Sequence, residues 1–146
     1  MDGYSDDSLN LAIAKFCTNL RKLSTGFKND ELETLKMVFN ECQHLESIKI
    51  WCGGWYFLNE KDALETVAKY SHENIHELVL YYRNQSEILP EELESFFISW
   101  TNLIPRNSLY LTIIKNKYNS LCANDENMKI IEKYINLGVI KKLKIY

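Results

Sequence analysis

The sequence predicts an α/β fold in which short parallel strands alternate with helices as a stacked solenoid, strands on the concave face and helices on the convex face. Three observations carry this. An LxxLxL order of apolar residues recurs along the chain, amphipathic segments with helical spacing lie between the recurrences, and the recurrences are evenly spaced.

The clearest strand follows a helix. Residues 30–40 place Leu32, Leu35, Val38 and Phe39 at 3-4 spacing, and residues 42–52 then carry Leu45, Ile48 and Ile50 in the LxxLxL order. The order returns at Ile75, Leu78 and Leu80 and at Ile140, Leu143 and Ile145, with a shortened version at Leu109, Leu111 and Ile113. From Ile50 to Leu80, Leu80 to Leu111 and Leu111 to Ile145 the intervals are 30, 31 and 34 residues. Upstream, Cys17, Leu20 and Leu23 repeat the spacing of Cys42, Leu45 and Ile48 twenty-five residues earlier, but Ser24 and Thr25 stand where a second inward apolar residue belongs. That first strand is weakly encoded.

Three further helices are predicted over 59–70, 90–103 and 125–137, with a short leading helix over 8–16. Asn59 caps the first with Asp62 three residues on, Pro90-Glu91-Glu92 puts Pro and acids in the first turn of the second, and Asn124-Asp125-Glu126 opens the third, which Gly138 closes. A strand and helix of one unit cannot bury both apolar faces alone, so units stack side by side. The rival is a doubly wound sheet with a switch point in strand order. Its nucleotide-binding versions need a GxGxxG or GxxxxGK turn, and neither motif occurs.

At 146 residues the chain is one domain of about four to five such units. With 46% hydrophobic and 25% charged residues, 2 Pro and 5 Gly, it is too apolar for a disordered segment and folds around a core. The formal charge of −3 builds no positive field for non-specific binding, so no nucleic-acid partner is expected. Apolar runs are broken by Lys, Glu or Asn well short of the ~20 residues that span a bilayer, so no membrane partner is expected either. The opening Met-Asp-Gly-Tyr-Ser-Asp-Asp-Ser is acidic and polar, unlike a secretory leader, and points to a cytoplasmic or nuclear protein. Cys17, Cys42, Cys52 and Cys122 form no CxxC and are expected as reduced thiols. The acceptor triplet Asn84-Gln85-Ser86 has no consequence in that compartment.

The stretch Cys42-Gln-His-Leu45-Glu-Ser-Ile48-Lys-Ile50, preceded by Leu35-Lys-Met-Val-Phe-Asn-Glu, resembles the cysteine-containing leucine-rich repeats of F-box proteins. From about Leu35 to Ile145, including the segments 88–100 and 128–137, the chain is similar to the C-terminal region of fungal F-box-like leucine-rich-repeat proteins. The resemblance implies a leucine-rich-repeat solenoid that captures a protein for ubiquitination, while an N-terminal F-box docks on the adaptor of a cullin-RING ligase. The Leu-Pro that opens such an F-box has no counterpart before Leu35, since the only Leu-Pro is Leu89-Pro90. Recognition of a protein partner is therefore the expected role, and adaptor recruitment is not assigned to these residues.

One motif points to chemistry. His72-Glu73-Asn74-Ile75-His76 fits HExxH, in which two imidazoles four apart on a helix hold zinc and the Glu activates its water. That makes a small zinc-dependent hydrolase the alternative function, its third ligand falling at Glu87 or within Glu91 to Glu94. The LxxLxL order instead puts Ile75, Leu78 and Leu80 on a strand, where residues four apart lie ~13 Å apart, too far for one metal. No cofactor, metal or catalytic residue is expected on this reading. The cluster Glu91, Glu92 and Glu94 is a solvated helix start.

Candidate binding residues follow from alternation. With Leu45, Ile48 and Ile50 inward, Ser47, Lys49 and Trp51 point away from the helices, as do Glu77, Val79 and Tyr81, then Ser108, Tyr110 and Thr112, then Lys142, Lys144 and Tyr146. Stacking by the repeat period gives one row of Trp51, Tyr81, Thr112 and Tyr146 beside another of Lys49, Val79, Tyr110 and Lys144. Aromatic side chains on a rigid face anchor protein partners at low entropic cost, the alternative being that Trp51 and Tyr81 pack on loops or on each other. Lys141, Lys142 and Lys144 read as a charged edge that deters strand addition.

Overall fold

A computed structural model describes residues 4–102, 108–115 and 120–146, with side chains from residue 9 onward. Among the described residues five helices and five strands alternate: α1 Tyr4–Phe16, β1 Lys22–Thr25, α2 Leu32–Glu41, β2 Ser47–Cys52, α3 Glu60–Tyr70, β3 Glu77–Tyr82, α4 Pro90–Asn102, β4 Leu109–Lys115, α5 Asp125–Asn136 and β5 Ile140–Ile145. The residue-103 end expected for α4 lies outside the described residues. The leading helix starts four residues before the expected Ser8, and a 3-10 turn, Leu121–Ala123, precedes α5. Ser120 Oγ caps that turn by accepting from Cys122 N.

All strands are parallel, in one open sheet whose order, β1-β2-β3-β4-β5, is the order of the chain. No strand order reverses among the described strands, so the switch point of a doubly wound sheet is missing. Successive helices touch one another, α1 to α2 through α4 to α5. They pack against the face carrying Leu45, Ile48, Ile50, Ile75, Leu78, Leu80, Leu109, Leu111 and Ile113, all buried in the core with Leu35, Val38, Phe39, Ala63, Leu64, Val67, Phe97 and Ile131. Each fully buried Leu, Ile or Phe contributes about 1.5–3 kcal/mol over an exposed one, so this shared layer holds the units together. The other face of the sheet has no helix over it among the described residues.

The helix starts follow their encoded caps. Asn59 Oδ1 accepts from Asp62 N at 3.3 Å, and Asn124 Oδ1 from Glu126 N and Asn127 N at 2.9 and 3.2 Å. At α4 Glu92 Oε1 reaches back to Leu89 N at 2.9 Å. Gly138, with φ of +79°, ends α5 in the left-handed conformation that glycine adopts without strain.

Register corrects the placing of β4 against both neighbours: the repeat spacing sets Leu111 beside Ile145, whereas Leu111 pairs with Leu143 and Ile113 with Ile145. The repeat spacing sets Leu80 beside Leu111, whereas β3 and β4 pair Leu78 with Leu111 and Leu80 with Ile113. A two-residue offset preserves facing, so spacing alone does not exclude it. β4 also uses one residue fewer than its neighbour: Leu109 pairs with Ile140 and Leu111 with Leu143, and the β4–β5 ladder breaks register between Leu109 and Tyr110. The weakly encoded first strand forms, with Leu23 as its single buried residue.

Candidate functional site

The uncovered face of the sheet carries the residues that alternation directs away from the helices. Through the observed register they form three rows. Ser47, Glu77, Tyr110 and Lys142 make the first; Lys49, Val79, Thr112 and Lys144 the second; Trp51, Tyr81 and Ile114 the third. Tyr146 joins the third, because its N–H donates to Ile113 O at 2.9 Å and its carbonyl accepts from Lys115 N at 3.2 Å. Thr112 therefore belongs with Lys49, Val79 and Lys144, and not with Trp51, while Tyr110 moves to the row of Lys142. Both shifts follow from the two-residue offset of β4 against β3 and against β5. β1 extends the first two rows with Lys22 and Ser24.

Trp51 and Tyr81 are half-buried, and their surroundings explain why. The Trp51 and Tyr81 rings lie 6.1 Å apart, and Phe57 meets Trp51 edge-on at 5.5 Å. Gly26 backs this cluster: a Cβ there would stand 2.6 Å from Trp51 Cε3 and 2.8 Å from Phe57 Cε1, so only glycine allows the approach. Arg83 lies over Trp51 at 5.3 Å and Lys49 over Tyr81 at 5.0 Å. Trp51 Nε1 is buried without an acceptor among the described residues, an arrangement costing about 1–3 kcal/mol that ring packing has to offset.

Phe57 is delivered by the loop after β2. Gly53 and Gly54, with φ of +103° and +72°, turn the chain beside Asn84. The returning segment bridges antiparallel to Lys28, with Asn29 N donating to Tyr56 O at 2.8 Å and Leu58 N to Phe27 O at 3.2 Å. Trp55 stands outward at 83% exposure, edge-on to Tyr56. Sequence reasoning missed Arg83, Trp55, Tyr56 and Phe57. Extending the alternation of Glu77, Val79 and Tyr81 by one step finds Arg83; the run Trp55-Tyr56-Phe57 beyond the Gly pair was the available signal for the rest.

The HExxH residues do not share a helix. His72 to His76 lie between the end of α3 at Tyr70 and the start of β3 at Glu77. The His72 Nδ1 accepts from Asn74 N at 3.2 Å and its Nε2 meets Cys42 O at 3.0 Å, so both ring nitrogens are engaged with backbone. His76 Nδ1 meets Asn74 O at 3.2 Å, and its ring faces the edge of Tyr110. Among the described residues no three His, Cys, Asp or Glu side chains come together as metal ligands, and Glu87 and Glu91 to Glu94 add none. Burial pushes the thiols of Cys42, Cys52 and Cys122 upward in pKa, which keeps them protonated and poorly nucleophilic.

A buried carboxylate sits behind the aromatic cluster. Glu60, at the first position of α3, accepts from Tyr82 Oη, Ser86 Oγ and Glu87 N, each at 2.7 Å. Glu31 has a matching role in the preceding unit, accepting from Lys28 N at 2.9 Å and Asn10 Nδ2 at 3.1 Å. With their donors in place, Glu60 ties the start of α3 to the loop after β3, and Glu31 ties the start of α2 to α1.

No helix among the described residues is long and apolar enough to cross a membrane. No family model, no curated protein and no solved structure matches the chain.

Proposed function

We propose that the chain is a protein-interaction module that binds its partner across the uncovered face of the sheet, and that it is built as a leucine-rich-repeat solenoid like the repeat half of fungal F-box-like proteins. The observation that carries this is the parallel order β1 to β5 with the helices confined to one side. Such an order leaves a continuous face of side chains held by a rigid backbone, and it lacks the switch-point crevice where open α/β sheets bind small ligands. Lys49, Trp51, Val79, Tyr81, Tyr110, Thr112, Lys144 and Tyr146 are the contact residues on this reading. Substrate capture for ubiquitination is the role, in the cytoplasm or nucleus, without catalysis by this chain.

A photo-crosslinking residue placed at Val79, on the open face, and separately at Lys69, on α3, tests the face inside cells. Crosslinked partners from position 79 and none from position 69 are expected. Adducts from position 69 equal to or exceeding those from position 79 would move the docking site to the helices.

A further inference from the structure

The open face differs sharply in charge from the rest of the molecule. Lys22, Lys49, Arg83, Lys142 and Lys144 point from it, against Glu77 as the one acidic side chain in its strand rows and Glu46 beside Lys22 at its margin among the described residues, in a chain whose formal charge is −3. Glu77 is itself engaged, accepting from Ser47 Oγ. Lys49, Lys142 and Lys144 have no ion pair among the described residues. The acid excess therefore lies elsewhere, with Glu33, Asp62, Glu91 and Glu126 in the first turns of the helices.

Edge protection accounts for cations on β5 but not for Lys49, which sits on β2 between two paired neighbours. Tyr81 holds Lys49, and Trp51 holds Arg83, over their rings, so two of the cations are positioned and not merely solvated. In the second row Lys49 and Lys144 bracket Val79 and Thr112, cation to cation across three strand spacings. At ~4.8 Å per strand that separation is roughly 14 Å, about four residues of extended chain.

Resting on the protein-binding reading above, we propose that this face takes an acidic, extended segment of its partner, with carboxylates about four residues apart around a small apolar centre. The carboxylates meet Lys49 and Lys144, and the centre lies over Val79 and Thr112. A single-stranded nucleic acid fits less well. Its bases need open aromatic faces on which to stack, whereas the Trp51 and Tyr81 rings already carry Arg83 and Lys49, and the acidic remainder of the chain repels a long polyanion.

The test is fluorescence anisotropy of the full chain with a labelled peptide in which Glu alternates with runs of Val-Thr-Val. Its controls are the same peptide with Gln for Glu and a labelled oligouridine. The Glu peptide is expected to bind at least about tenfold tighter than the Gln peptide and the oligouridine, and to weaken as salt rises. Lys49→Gln and Lys144→Gln should each weaken it, and Lys69→Gln on α3 should not. Equal binding of the Gln peptide, tighter binding of oligouridine, or equal loss with Lys69→Gln overturns the proposal. Crosslinking at Val79 without binding of the Glu peptide refutes the acidic segment and leaves the docking face standing; crosslinking only at Lys69 removes both.

Discussion

Tyr82 at the end of β3 donates its hydroxyl to Glu60 Oε2 at the start of α3, across 2.7 Å, with both side chains buried. The bond fixes the carboxyl end of the central strand to the helix that backs it, behind the Trp51–Tyr81 cluster. Ser86 Oγ and Glu87 N complete the donors, so the charge is buried with partners and not alone.

Tyr82→Phe removes one of those donors and leaves a buried carboxylate short of a partner. A loss of about 1–3 kcal/mol is expected in urea unfolding, with the sheet retained by circular dichroism. Burial, first, and the neighbouring charges raise the Tyr82 phenol well above its ordinary value of 10. A raised folded value means that its contribution is whole below pH 10 and falls as pH rises towards the folded value, so the native chain loses stability in alkali and the Phe variant loses less.

Gly26→Ala forces a methyl into the Trp51 and Phe57 rings. Overpacking of this kind costs about 1–3 kcal/mol. The expected result is a lower urea midpoint together with a shifted tryptophan emission, since Trp51 is the ring displaced; an unchanged midpoint would show that the loop 53–58 yields freely.

Leu78→Ala opens a cavity at a fully buried site between two paired strands, with Leu111 as its neighbour on β4. A cost of about 2–5 kcal/mol is expected from chemical denaturation. Val79→Ala, one residue on but on the open face, should cost far less, and a reversed order would contradict the assignment of faces.

Glu94 accepts from Lys133 Nζ at 2.6 Å and from Tyr134 Oη at 3.2 Å, joining α4 to α5. The Lys133 hydrogen bond holds the Glu94 carboxyl below its ordinary value of 4.5. Its stabilisation is whole above that value and disappears as pH falls through the lower folded value. The acid transition of Glu94→Gln should therefore be shallower than that of the unmodified chain, a small effect that salt reduces further.

Much of the fold was legible because strand and helix periods alternate along the chain: Leu45, Ile48 and Ile50 after a helix at 3-4 spacing read as a strand, and Asn59 and Asn124 cap where their spacing places them. The β3–β4 register was not legible, because Leu111 and Ile113 both face inward and a two-residue shift swaps them without exposing either. That ambiguity misplaced Thr112 and Tyr110 by one row without moving either to the other face of the sheet. The loop partners that half-bury Trp51 were hidden for a different reason. Its partners Gly26 and Phe57 come from loops, whose path depends on the positive φ of Gly53 and Gly54 and on the bridge between Lys28 and Phe57, contacts with no period to read.

The most direct measurement is an amide NOESY spectrum of the isotopically labelled chain, which reads strand neighbours one by one. Connectivities joining Ile48 to Leu78, Leu78 to Leu111 and Leu111 to Leu143, all in the parallel sense, are the predicted result. Contacts that pair β2 with β4, or any antiparallel pairing of these strands, would contradict the chain-ordered sheet and with it the uncovered face.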